Sequence, residues 1–155
     1  MTPEMQNLYQ ELILEHNHYP RNYGRVENPT HEAEGYNPLC GDQVHLTLRV
    51  EEERIADIRF EGKSCAICRA ATSVMTTVVK GAAIAEADRY FEAFHQLLTQ
   101  EEAPLVSSLP AAVQEKLRIF STVRLFPIRV KCATLPWHTL RVALHEPEKK
   151  IATTE

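Results

Sequence analysis

From Val44 to Phe60 the chain alternates apolar and polar side chains in two consecutive runs. Val44, Leu46, Leu48 and Val50 interleave with Gln43, His45, Thr47 and Arg49. After Glu51-Glu52-Glu53, Ala56, Ile58 and Phe60 interleave with Asp57 and Arg59. A period of two puts one face of each run on a core and leaves the other wet. The short acidic link joins the runs as an antiparallel hairpin. A lone hairpin is not stable in water, so the rest of the chain must cover its apolar face. Residues 32–36 supply a preceding strand, which makes a small antiparallel sheet of about three strands.

Beyond Phe60 the period switches. Cys65 to Lys80 reads as a helix rich in small residues, with Ser64 as N-cap and Gly81 as C-cap. Its alanines let it lie close against the sheet. Upstream, Thr2-Pro3-Glu4 opens a helix that carries Met5, Leu8, Leu12 and Ile13 on one face and ends before Tyr19-Pro20. Downstream, a short helix is expected at 84–87, an amphipathic stretch at 91–98, a polar loop at 100–108 and a helix at 109–119. Phe126-Pro127 breaks the chain. A last helix starts at Arg129 or Cys132 and runs to Leu144, with Pro136 either kinking it or opening it. The order helix, strands, helices indicates an α+β fold with helices packed on the sheet. We expect one domain over residues 1–145 and a polar, frayed tail over 146–155.

The 155 residues are ordinary globular material, 44% hydrophobic and 25% charged, with a net charge of −4. That balance does not suggest a nucleic-acid groove. No apolar run approaches the roughly 18 residues of a membrane span. The opening MTPEMQNLYQELILEH is acidic and amphipathic, unlike a secretory signal or a transit peptide. A soluble, cytoplasmic protein without membrane or nucleic-acid partners is expected. In a reducing compartment, four cysteines point to metal binding or thiol chemistry rather than disulfides.

Each cysteine has its own context. Cys40 lies in the turn Asn37-Pro38-Leu39-Cys40-Gly41-Asp42, which can present a thiolate and a carboxylate to one point. Cys65 opens the alanine-rich helix, where free N–H groups and the helix dipole favour a thiolate. Cys132 is flanked by Arg129 and Lys131, which favour the same. Cys68 is one turn past Cys65. The pair fits a CxxC redox motif, half of a zinc knuckle, or one functional thiol beside a packed one; we favour the last. Of the histidines, His16 and His18 point to different helix faces, His45 lies on a polar strand face, and His31, His95, His138 and His145 read as surface residues.

Several segments occur here in a fixed order: LYQELILEH with PRNYG, NPLCGD, FEGKSCAI, MTTVVKG and RVKCATLPW. Together they resemble the IscU/SufU family of iron–sulfur cluster assembly proteins, the NifU N-terminal type, from about Leu8 to Leu144. Lys131 stands where IscU-type scaffolds carry His. The stretch Leu125 to Lys131 does not match their chaperone motif LPPVK. The long segment between Cys65 and Cys132 leaves room for the insertion of SufU-type proteins. The resemblance is therefore closer to the SufU type, with Cys68 as a departure where Ser is typical.

The resemblance implies a small antiparallel sheet with helices on one face and a site at one end, formed by Cys40, Asp42, Cys65 and Cys132. It implies Zn²⁺ on those four, and a sulfurtransferase-like relay in which a pyridoxal-phosphate cysteine desulfurase of the SufS kind hands persulfide sulfur to Cys40 after a ligand exchange at zinc. Downstream iron–sulfur assembly proteins or apo-proteins would receive it. Arg129 and Lys131 would support the site. The alternative within the family is a scaffold holding iron or a transient [2Fe–2S] cluster on Cys40, Cys65 and Cys132. From other classes come a Cys65/Cys68 thiol oxidoreductase and a purely structural zinc site.

Overall fold

The hairpin forms as its alternation requires. In the computed structural model, which describes residues 1–154, β2 (Asp42–Glu51) and β3 (Arg54–Lys63) run antiparallel. Leu46 faces Phe60 and Leu48 faces Ile58 across the ladder. These side chains are fully or almost fully buried, so the inward stripe read from the period is the core face of the sheet. β1 (His31–Asn37) pairs antiparallel with β2, from His31 opposite Leu48 to Asn37 opposite Asp42.

The sheet has four strands, in the order β3-β2-β1-β4, and not three. β4 (Ile151–Thr153) comes from the tail that was expected to fray, and it pairs parallel with β1, so the sheet is mixed. Hydropathy misses such a strand because backbone N–H and C=O groups of an edge strand bond to a polar segment as readily as to an apolar one. Ala152, buried, is the one apolar anchor the pairing needs.

The helices cover the inward face. α2 (Ala66–Val79) is buried along most of its length, through Ala70, Ala71, Val74, Met75, Val78 and Val79. Its N-cap is Cys65, not Ser64: the Cys65 sulfur accepts from the Cys68 N–H at 3.5 Å. α1 (Pro3–His18) rests on α2 through its C-terminal half. There His16 Nδ1 meets Ser73 Oγ at 2.8 Å, and Arg69 Nε donates to the Asn17 carbonyl at 3.0 Å. Only Ile13 of α1 is buried; Met5 and Leu8, placed on the apolar stripe by their spacing, are exposed.

The two separate stretches expected at 84–87 and 91–98 are one helix, α3 (Ile84–Thr99), opened by Glu86 folding back on the Ala83 N–H at 3.0 Å. The loop expected at 100–108 contains one helical turn, α4 (Pro104–Ser107), before α5 (Ala111–Arg118) and a 3₁₀ turn at Ser121–Leu125. Phe94, Phe120 and Trp137 make an aromatic centre between these elements and the last helix, with ring centroids 5.6–5.8 Å apart along the chain of contacts.

α6 (Pro127–His145) starts earlier than expected. Pro127 does not break the chain; it takes the first helical turn, where its missing N–H costs nothing. Pro136 lies inside α6 without ending it. Among the described residues no helix is long and apolar enough to cross a membrane.

Candidate metal and thiol centre

Three elements end at one place. The β1–β2 turn is closed by Cys40 N–H and Gly41 N–H donating to the Asn37 carbonyl at 3.2 and 2.8 Å. Gly41 adopts φ +72, which the reversal needs and a side chain resists. The turn lifts the exposed Cys40 out and drops Asp42 inward, where it is buried. Asp42 Oδ1 accepts the Cys65 N–H at 2.8 Å, one of the orphan donors at the start of α2. The second turn of α6 brings up Cys132, also buried.

Three of the four sequence-predicted residues, Cys40, Asp42 and Cys132, form one close group, and Cys65 stands beside it. Cys40 Sγ and Cys132 Sγ are 3.6 Å apart, and these sulfurs and an Asp42 carboxylate oxygen all lie within 4.8 Å of one another. Cys65 Sγ stands 3.7 Å from Asp42 Oδ2, at the edge of this group rather than within it. A tetrahedral zinc site with three sulfurs and one oxygen has sulfur–sulfur edges of about 3.8 Å and slightly shorter sulfur–oxygen edges. The separations among Cys40, Asp42 and Cys132 fit three corners of that polyhedron, Cys65 would have to close in as the fourth, and the donor types fit zinc or iron.

The thiols are electrically distinct. The neighbouring Cys132 thiol holds the Cys65 thiol down to about 7, with further help from backbone N–H groups at the start of α2 and against the cost of burial. The same pairing, and then burial, push the Cys132 thiol up. Cys65 is thereby the more acidic thiol of the two. The expectation that Arg129 and Lys131 favour a Cys132 thiolate is overturned, because neighbouring thiols and Asp42 govern it instead. Arg129 lies over the Phe126 ring, 4.7 Å from its centroid.

Cys68 is apart from this set. It is fully buried in the core side of α2, and burial pushes its thiol up. That is the reverse of what an attacking cysteine needs.

Sequence reading missed Asn37. It is fully buried, its Oδ1 accepts the Leu39 N–H at 3.2 Å, and its Nδ2 reaches Cys132 Sγ at 3.8 Å. One side chain therefore links the Cys40 turn to the Cys132 helix. The available signal was an Asn followed by Pro at a strand end, a common turn residue that supports its own backbone. His138 was missed in the other direction: it is half-buried with its ring edge-on to Phe91, 4.9 Å between centroids.

Residues 8–108 match the model of the NifU-like N-terminal domain, which stops short of Cys132. Over 141 residues the chain is 31% identical to the iron–sulfur cluster assembly scaffold protein IscU of Streptococcus pyogenes, covering 91% of this chain and 85% of that one. It is 33% identical to the zinc-dependent sulfurtransferase SufU of Bacillus subtilis over 93% and 94% of the two chains. The fold superposes with a TM-score of 0.79 on a crystal structure assigned as an iron–sulfur cluster assembly scaffold for the SUF system of Fervidobacterium islandicum. That pair is 32% identical, over 92% of this chain and 99% of the other.

Proposed function

This chain belongs to the family of NifU-like N-terminal domains, and from its site we propose that it is an iron–sulfur cluster assembly protein that accepts sulfur from a cysteine desulfurase on Cys40. The observation that carries the reading is the pairing of an exposed sulfur on a turn with a buried carboxylate and a buried sulfur within 4.8 Å of it. A sealed structural site would bury all its donors. Cys40, Asp42, Cys65 and Cys132 would hold Zn²⁺, which when bound keeps thiols deprotonated and orders the site.

In the transfer step the Cys40 thiolate attacks the outer sulfur of the donor's persulfide. A new sulfur–sulfur bond forms on Cys40, the donor's bond breaks, and the donor cysteine leaves as thiolate. Exposure suits Cys40 to this part: it is the thiol of the three-atom cluster that a partner can reach. The rim also suits a protein donor. Leu39, Leu125, Phe126 and Ile128 are exposed apolar side chains on the two segments that bear Cys40 and Cys132. Leu39 adjoins Cys40, and the other three precede Cys132 on the start of α6.

The test is metal analysis joined to a desulfurase assay. About one zinc per chain is expected, with stimulation of a SufS-like desulfurase that disappears in Cys40→Ser. Iron and sulfide held with visible absorption, without stimulation, would instead favour a scaffold whose cargo is a [2Fe–2S] cluster.

A further inference from the structure

β4 reaches both halves of the thiol centre. On one side it pairs with β1, with Glu34 N–H donating to the Lys150 carbonyl at 2.8 Å and Thr154 N–H to the Tyr36 carbonyl at 3.1 Å. Tyr36 precedes Asn37, whose carbonyl closes the Cys40 turn. On the other side the Thr154 hydroxyl donates to the Lys131 carbonyl at 3.1 Å, next to Cys132. Thr154 is 9% exposed and Ala152 4%, so both contacts are screened from water. The strand and the residue after it thus join β1 to the start of α6.

α6 is weak where this strap holds it. Pro136 has no N–H to give the Cys132 carbonyl, so the helix ladder lacks one bond at the residue that carries the thiol. Side chains take over on either side: Thr134 Oγ1 donates to the Val130 carbonyl at 2.9 Å, and Thr139 Oγ1 to the Leu135 carbonyl at 2.7 Å. Beside the weak contacts of Cys132 Sγ to Asn37 and Cys40, the Thr154 bond ties the backbone here to a different part of the chain.

We propose that β4 is a positioning strap for the thiol centre, and that the Thr154 hydroxyl sets the place of Cys132 relative to Cys40. The link to sulfur transfer rests on the function proposed above; the effect on Cys132 does not. The strap explains why a polar tail folds back along β1. Without it, the first two turns of α6 would be tied to the sheet through packing and the weak Asn37 contact alone.

The test compares Thr154→Val, which keeps shape and loses the donor, with Thr154→Ser, which keeps the donor. Alkylation of full-length protein by iodoacetamide is followed by peptide mass mapping, before and after zinc removal. Zinc affinity is measured by competition with a chromophoric chelator, and the melting temperature of each variant is recorded. In the metal-free protein Thr154→Val should raise the Cys132 rate relative to Cys40 by about two- to tenfold, the range one lost hydrogen bond implies. It should weaken zinc by a similar factor, while Thr154→Ser stays at wild-type values. An unchanged Cys132 rate in Thr154→Val, or an equal rise in Thr154→Ser, overturns the proposal. A wild-type chain that takes up no zinc would sink the proposed function and leave the metal-free readout intact.

Discussion

Cys65 and Cys68 lie three apart and differ in every property that decides reactivity. Cys65 is at the helix start, exposed, with its thiol held near 7 and Asp42 beside it. Cys68 points into the core, where its thiol is pushed up. Serine is close to cysteine in size, and the Thr72 hydroxyl, which donates to the backbone carbonyl of residue 68 at 2.7 Å, would keep its partner. Cys68→Ser should therefore leave zinc content unchanged and cost less than about 1 kcal/mol in urea denaturation. Cys65→Ser should lose most of the zinc. If the two substitutions have equal effects on desulfurase stimulation, a paired dithiol mechanism replaces the relay. Asn37→Ala tests the residue that motif reading passed over. It removes the acceptor of the Leu39 N–H and the contact to Cys132 and should cost about 0.5–1.5 kcal/mol, measured in the same denaturation series, with weaker zinc binding.

At the scale of elements, the place of the site depends on how closely α6 approaches β1. A methyl group added at Gly35 would collide with Thr139 Oγ1 and lie 3.1 Å from Leu135 Cδ1, both on α6. Glycine is required there for the contact and not for its backbone freedom. Gly35→Ala should displace α6 from β1, costing about 1–3 kcal/mol and separating Cys132 from Cys40. Thermal melting and zinc competition check the two consequences independently; a variant that melts earlier yet binds zinc normally would show that the approach matters for stability alone. The elements were unequally legible in the sequence. The hairpin and the alanine-rich helix could be read because their periods of two and 3.6 run through core positions, broken in the hairpin by the irregularity at Arg49 and Val50, beyond which Ile55 and not the expected Ala56 is buried. The start of α6 was hidden by Pro127 and Pro136, which signal breaks locally but are accommodated here by the helix start and by the buried neighbours. β4 was hidden because its partner is backbone. The cysteine and aspartate set was legible only through its flanks and the resemblance they carry; the contacts that bring α6 to β1, Gly35 against Thr139 and Leu135 and Asn37 against Cys132, join residues far apart in the chain.

At the scale of the whole molecule, α6 carries the thiol centre near its start and, two turns further on, packs a charged and aromatic cluster against α3. His138 lies against Phe91, and His95 and Arg141 face it. Burial, followed by the charges of His95 and Arg141, holds its imidazole down to about 4 from an ordinary 6.5. The folded state thus favours neutral His138, while the unfolded chain takes up a proton below about pH 6.5. The sign follows: the contribution is fully present above pH 6.5, shrinks as the pH falls, and is gone near pH 4. Because the ring is only half-buried, solvent screening leaves roughly 1–2 kcal/mol of this at most. His138→Gln keeps a similar polar shape and removes the titration. Urea denaturation at pH 7.5 and pH 5 should therefore show a smaller loss of stability in His138→Gln than in the parent chain. Metal-free protein must be used, since acid also protonates the thiols. Equal losses in the two proteins would mean that the ring is already solvated in the fold, and that the α3–α6 contact rests on Phe91, Phe94 and Trp137 alone.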